Sequence, residues 1–459
     1  MLKRIEIVFP FLALCAVSAL AGAAREEHTR AFQKTVPLAS GQRLEVENKF
    51  GDVLVRSQPK PEVSINATIK ASASDAAEAK SIAEKIVIDV RQSGAVLTVR
   101  TEYPQEHTLR DVSYSVSYDI LMPETAPLTI RNSFGGVVVT DLKANAAITN
   151  SHGKLVFKDG RGTHRLENSF GPVEVERNSG DVSVVDSNAS VRAADITGSL
   201  DLRNRFGAVL VRKVSGTVTI GNANGSVELT EAGGNANVTN SFGAVTVRGA
   251  KAGLIVHNAN GGVDVSGVAG TAELTTTFGR VDLRDVTGAA TVRDSNGAVT
   301  VQNVSGSVDV KDSFGSVEVR DVGKDARVVN ANGAIRIAGA KGAVKAISSF
   351  ASIQVDGAGG AVEVENPNGA VVVAGVPAKP CSPIILKTSF APLKVHLPED
   401  AGYNLTAKTS FGRINSELAV TASGAMGGDS LTGRIGGGGC ELRLTTSHGG
   451  IDILKAAKR

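Results

Sequence analysis

One phrase returns through this chain every eighteen residues, and that spacing constrains the fold more than any other property of the sequence. Between Asn132 and Gly369 the phrase is Asn-Ser-Phe-Gly followed by alternating valines, as in Asn240-Ser241-Phe242-Gly243-Ala244-Val245-Thr246-Val247. Its third position reads Phe134, His152, Phe170, Asn188, Phe206, Asn224, Phe242, Asn260, Phe278, Asn296, Phe314, Asn332, Phe350 and Asn368. Every step is eighteen residues, and Phe returns every thirty-six. Self-similarity at such a period marks a stacked architecture and overrides any domain count taken from length.

With the Phe/Asn position as zero, +1 is Gly in all but two of the fourteen units, Ala189 and Ala351. Positions +3 and +5 are apolar, as in Val281 and Leu283; +8 is apolar or small, as in Val286; +12 and +14 are apolar again, as in Ala290 and Val292. Each unit therefore holds two short strands of period two joined by two turns. Two such strands cannot bury their valines alone, and only neighbouring units can cover them and complete the ladder hydrogen bonds. The fold expected is all-β: a parallel β-solenoid of eighteen-residue coils, its fourteen rungs roughly 67 Å long at the spacing of paired strands. A thirty-six-residue coil of four strands is the alternative. The shorter coil is preferred because +1, +3, +5, +12 and +14 do not distinguish odd units from even ones.

Four segments follow from breaks in this rhythm. Residues 1–24 carry Lys3-Arg4, an apolar run from Ile7 to Ala23 and the small triplet Ala21-Gly22-Ala23, the pattern of a secretory signal peptide; an uncleaved membrane anchor is the alternative. Residues 32–127 read as a small α+β N-terminal cap. It holds a first copy of the phrase at Asn48-Lys49-Phe50-Gly51 and a helix over Ser74–Ile86, capped by Ser74 or Asp75. Residues 128–376 are the regular array. Residues 377–459 form an irregular, β-rich C-terminal cap with copies at Phe390, Phe411 and His448.

Three side-chain series recur in register. Position −2 is Asn at Asn132, Asn150, Asn168, Asn204, Asn222, Asn240, Asn258, Asn330 and Asn366, which predicts an amide ladder along the axis. Asn as a simple turn former is the plainer reading. Phe134, Phe170, Phe206, Phe242, Phe278, Phe314 and Phe350 are expected as a buried corner stack, with an exposed aromatic stripe as the alternative. Arg212, Arg248, Arg284 and Arg320 line up at +6 as a candidate rail for an acidic polymer; nearby carboxylates such as Asp282 and Glu318 favour a solvated face instead.

Little points to chemistry. The histidines show no metal-ligand spacing, no nucleophile elbow or phosphate loop occurs, and no catalytic residue, metal or cofactor is expected. Trp is absent, only four Tyr occur, and the formal charge of +3 is spread over 49 basic and 46 acidic residues, so nucleic acid is excluded as a partner. Export would permit a disulfide between Cys381 and Cys440. Counting rungs in sequence order, however, puts them two coils apart, about 9.6 Å, beyond the roughly 7 Å reach of a disulfide.

Several phrases resemble the bacterial adhesin-domain family, exported β-solenoid repeat proteins. They are the opening Leu44-Glu45-Val46-Glu47-Asn48-Lys49-Phe50-Gly51-Asp52-Val53, Tyr118-Asp119-Ile120-Leu121-Met122-Pro123, the Ser-Phe-Gly-x-Val units and the ending Leu442–Ile451. The resemblance covers nearly all of the chain after the leader. It implies an exported, non-enzymatic protein of the periplasm, cell surface or extracellular space, an adhesin or scaffold, and carries no catalytic residues over. Its expected partner is a surface or envelope component, a glycan or a protein. A membrane is reached only through the N-terminal segment, if that stays uncleaved. The alternatives are a polysaccharide-binding or polysaccharide-cleaving β-helix enzyme and a self-assembling envelope filament.

Overall fold

The computed structural model describes residues 25–104, 112–423 and 428–457; the signal-peptide segment, 1–24, lies outside them. From Leu128 onward each eighteen-residue unit makes one coil of two strands. The strand following the Phe/Asn position belongs to a forward sheet and the strand leading up to it to a return sheet. Val245–Ala250 pairs in parallel with Val227–Ala232 and Val263–Val268, while Ala236–Phe242 pairs with Val218–Asn224 and Leu254–Asn260. From Leu128 to Ala374 the register is eighteen at every step, Val247 beside Val265 and Val238 beside Val256. The thirty-six-residue alternative is thereby excluded. The two sheets close on one continuous core of valine, leucine, isoleucine and alanine running the length of the stack.

Strict alternation would turn the +7 side chain inward after +3 and +5. Instead +7 takes a left-handed backbone, with φ of 63° at Asp141, 55° at Asp195 and 54° at Asp321, and glycine at Gly249, Gly267 and Gly339. That one residue lets two side chains in a row face out and returns +8 to the core, as Val214, Val268 and Val286 show. Asp, Asn and Gly tolerate this conformation best, which accounts for most residues found there. At +1 the turn demands glycine for a second reason. A Cβ on Gly243, at φ +122°, would lie 2.3 Å from the carbonyl oxygen of Gly225 in the coil before it.

At both ends, spatial order departs from chain order. The first rung, Arg43–Phe50 and Val53–Gln58, is not outermost. It lies between the main array and a later rung made of Val96–Glu102 and Ser113–Pro123. Antiparallel strands Val87–Ser93, Glu62–Ala73 and Glu26–Pro37 finish this end. The helix Ala76–Lys85 packs on the last two of these, with Asp75 accepting from the Glu78 amide at 2.8 Å and Ala79, Ile82 and Ala83 buried. At the C-terminus the last rung, Cys440–Thr445 and Ile451–Lys455, inserts between the rungs of Phe390 and Phe411. Antiparallel Ser430–Ile435 and Val420–Ala422 continue the return sheet beyond it.

This insertion corrects the expectation for the cysteines. Cys381 precedes Ile384–Thr388, which pairs directly with Cys440–Thr445, so the two residues sit one coil apart rather than two. They form a disulfide, with Cα atoms 5.9 Å apart. The count failed because it assumed that rungs stack in sequence order.

Candidate interaction surfaces

The −2 asparagines are buried, as at Asn132 (3 %) and Asn366 (0 %). The strand before them makes them the third inward residue of the return sheet, and the turn after them brings backbone carbonyls to their amides. Three steps are amide to amide: Asn132 donates to Asn150 at 3.1 Å, Asn150 to Asn168 at 3.2 Å and Asn222 to Asn240 at 3.3 Å. The commoner contact is amide to turn. Asn240 Nδ2 donates to the Gly243 carbonyl of its own turn at 3.1 Å and to the Gly225 carbonyl of the coil before at 3.2 Å. Asn168, Asn222 and Asn258 bridge two coils in the same way, and Asn204 reaches both Gly207 and Ala189. Asn330 and Asn366 donate to the coil before and accept from their own turn. The ladder thus stitches turn to turn more than side chain to side chain.

Where −2 is acidic the balance changes. Burial pushes the Asp186 carboxyl up to about 6, despite one oxygen accepting from the Ala189 amide at 3.0 Å. Asp312 is raised for the same reason. In the neighbouring pair, the Thr276 hydroxyl donates to the buried Asp294 carboxylate.

The phenylalanine series is on the outside, contrary to the buried stack expected. Phe134, Phe170, Phe206, Phe242, Phe278, Phe314 and Phe350 are 43–64 % exposed, and Phe390 and Phe411 extend the series at 63 % and 76 %. The physical reason is their place in the coil. Position −2 is the last inward side chain, so the residue two further on stands on the rim where the return sheet turns into the forward one. Rings on adjacent rungs stack along the axis: Phe134 on His152 at 4.5 Å, His152 on Phe170 at 4.7 Å, and Phe390 and Phe411 on His448 at 5.0 and 4.8 Å. On the alternate rungs the Asn side chain folds back onto the preceding coil. Asn188 donates to the Ser169 carbonyl at 3.1 Å, Asn260 to Ser241 at 3.2 Å and Asn368 to Ser349 at 2.8 Å. The rim is therefore a row of projecting rings separated by low notches.

The four arginines lie on the forward sheet, and each reaches a carboxylate. Arg212 pairs with Glu228 at 3.7 Å, Arg248 and Arg284 share Asp264 at 3.2 and 2.8 Å, and Arg320 pairs with Glu318. They form a mixed-charge face rather than a positive rail.

Two rungs leave the pattern, and sequence reasoning passed over them. At +8, where other coils bury Val, Ala, Leu or Ile, stand Gly160 and Asn178; at +12 stands His164; and Phe157 fills +5. The Phe157 and His164 rings pack 4.3 Å apart, and His164 is fully buried with neither ring nitrogen hydrogen-bonded to protein. Burial alone lowers its pKa to about 4. Asn178 accepts from the Gly160 amide at 3.2 Å and donates to the Glu176 carbonyl at 3.2 Å. Over this spot a shallow cleft of about 430 Å³ is lined by Asp159, Arg161, Arg177 and Asn178. The Arg177 guanidinium is engaged by Asp159 at 2.7 Å and Glu176 at 2.6 Å and holds the Asp159 carboxyl below its ordinary range, while the Glu176 carboxyl is held down chiefly by Lys158 at 2.8 Å, with Arg177 adding less. The signal for these rungs was present: three polar or minimal residues at positions the other coils keep apolar. Among the described residues, no group of three or more His, Cys, Asp or Glu is placed to hold a metal.

No known protein family's profile matches the chain. No curated protein matches it in sequence. Among solved structures, the chain is similar to a putative cell adhesion protein from Clostridium sporogenes at 9 % identity and a TM-score of 0.16, covering 93 % of this chain and 100 % of that one. It is also similar to a putative adhesin from Bacteroides fragilis at 11 % identity and a TM-score of 0.15, covering 77 % and 98 %.

Proposed function

We propose that this chain is a non-enzymatic, exported protein of the cell envelope, an adhesin-like or scaffolding rod that acts through the length of its surface. The observation that carries the reading is the unbroken register of the array. From Leu128 to Ala374, outward positions repeat once per rung, so any contact made at one coil can be made again at the next. A partner that is itself extended, a glycan or a fibrous envelope protein, would meet many weak contacts at matched spacing, and avidity rather than one deep pocket would set its affinity. The sequence resemblance supports the same class of role, and the leader-like segment 1–24 supports export. The paired arginines weigh against the acidic-glycan alternative, because their charge is already matched by Asp264, Glu228 and Glu318.

The test is direct. Purified protein applied to cells and to envelope fractions of the source organism should bind, and deleting the gene should reduce attachment or envelope cohesion. A protein that binds no cell, glycan or envelope component, in a strain whose adhesion is unchanged by the deletion, contradicts the reading.

A further inference from the structure

We propose that the cleft at the C-terminal end of the forward sheet is a binding site for an aliphatic polyamine chain, two or more ammonium groups carried on a methylene stem. The inference does not rest on the adhesin reading. It concerns one cleft rather than the repeated surface, and its failure would leave that reading standing.

The hollow arises where the ion-paired lattice of the forward face stops. On earlier rungs +4 and +6 carry long charged side chains that pair across coils, Arg248 and Arg284 with Asp264 and Arg212 with Glu228. On the rung of Asn368 the same positions are Val372 and Ala374, and the left-handed residue at +7 is Gly375. In register, Ala374 follows Asp356, and Val372 lies between Gln354 and Lys394. Short side chains set among longer ones leave a depression with an apolar floor.

The wall follows from the inserted rung. The residue before a proline is held extended, so Leu397, ahead of Pro398, continues its strand where other rungs take the left-handed turn. The chain must then step from the rung of Phe390 to that of Phe411, past Ile451–Lys455, which lies between them. It does so through a turn in which the Ala401 amide donates to the Pro398 carbonyl at 3.1 Å. The inserted rung leaves at the same corner, where the Ala456 amide donates to the Leu397 carbonyl at 2.8 Å. Turn and exit enclose the hollow as a cleft of about 730 Å³. That lies inside the size range of small-ligand sites, roughly 300–1,000 Å³.

Charge chooses the occupant. Three clefts elsewhere on the rod mix both signs, Asp159 with Arg177, Glu174 with Arg192 and Asp309 with Arg327. Among the described residues, the lining of this one holds Asp356, Glu399 and Asp400 and no Lys or Arg. The carboxylates come from two elements, Asp356 from the strand Ile353–Ala358 and the other two from the turn after Leu397. Lys455, outside the lining, pairs with Glu399 at 2.9 Å. Anionic groups and apolar carbon therefore share one hollow. A polyamine matches both, its ammonium groups meeting the carboxylates while its stem covers Val372, Ala374 and Pro398. An acidic ligand would be repelled, and a purely apolar one would strip water from the carboxylates and give them no partner.

Titration calorimetry on the full chain, with spermidine and with acetyl-dilysine amide as probes, tests the proposal. At least one probe should bind at a single site, with an affinity that falls as salt is raised, and an uncharged diol of the same length as spermidine should not bind. Spermidine alone assigns a free amine as the source and the dilysine probe a basic protein segment, and either result supports the proposal. The double variant Asp356→Asn, Asp400→Asn should weaken binding about tenfold or more. Ala374→Arg, which fills the floor from a half-buried outward position, should abolish it with an unchanged far-ultraviolet spectrum. The control pair Glu167→Gln, Glu273→Gln, on the return sheet, should leave it unaltered, as should deletion of Lys458 and Arg459, which follow Ala457 in sequence. The proposal is overturned by any of three results: no binding of either probe, binding that the double variant leaves intact or the control weakens equally, or binding that emerges only on that deletion.

Discussion

Asp186 occupies a ladder position that other coils fill with asparagine, and replacing it tests how the ladder works. The side chain is 3 % exposed, one carboxylate oxygen accepts from the Ala189 amide and the other has no partner in the protein. Burial pushes its pKa from an ordinary 3.8 up to about 6. An acid whose pKa is raised by folding is held more tightly as the neutral form in the native state. Its contribution is therefore favourable below the unfolded pKa and is lost as pH rises from about 3.8 through about 6. At 1.36 kcal/mol per pKa unit, the loss reaches about 3 kcal/mol at neutral pH. Asp186→Asn removes that loss and supplies an N–H₂ group, which the geometry of Asn168 and Asn204 directs to the carbonyls of Gly171 and Ala189. Urea unfolding of both proteins at pH 4 and pH 7.5 is the assay, with the m-value checked for constancy. The variant should be close to the parent at pH 4 and about 3 kcal/mol more stable at pH 7.5. A difference that does not grow with pH would refute the assignment of a buried, destabilising carboxylate.

His164 should show the opposite slope. Its pKa is lowered to about 4, so stability is complete above about 6.5 and lost as pH falls toward 4, and the gain from His164→Leu in urea titrations should be about 2 kcal/mol larger at pH 5 than at pH 7.5. Breaking Cys381–Cys440, which closes a 59-residue separation, should cost about 4 kcal/mol on the chain-entropy account; equal unfolding midpoints for the parent and the double serine variant would count against the observed rung order. Asn240→Ala removes the amide shared by two coils and should cost about 2–3 kcal/mol, whereas Phe242→Ser should change stability by less than about 0.5 kcal/mol. The reverse ranking in thermal melts would return the aromatic rim to the core.

The coil itself was legible because its determinants are local and repeated. Val at +3 and +5, Gly at +1 and Asn at −2 each state the same geometry in unit after unit. What could not be read depended on relations that the period does not encode. The rim phenylalanines look like core residues by composition, and only the turn that follows Asn at −2 shows that the position two further on has already left the interior. The left-handed residue at +7 is hidden because Asp, Lys, Glu and Gly all occur there, so no single residue type announces it. The disulfide needed the spatial order of the terminal rungs, and that order is set by long-range pairing of Cys440–Thr445 with Ile384–Thr388. His164 was visible as an odd letter in an apolar column. Its consequence became plain only with Phe157, Gly160 and Asn178 around it.

The central claim is that one coil is eighteen residues, with phenylalanine on its rim. Excising residues 243–260 removes one complete rung and joins Phe242 to Gly261, restoring the phrase at the junction. The account predicts a protein that folds cooperatively, keeps its β spectrum and is shorter in small-angle scattering by about 4.8 Å, while excising only residues 243–251 abolishes folding. Loss of folding on removing eighteen residues, with recovery on removing thirty-six, would contradict it.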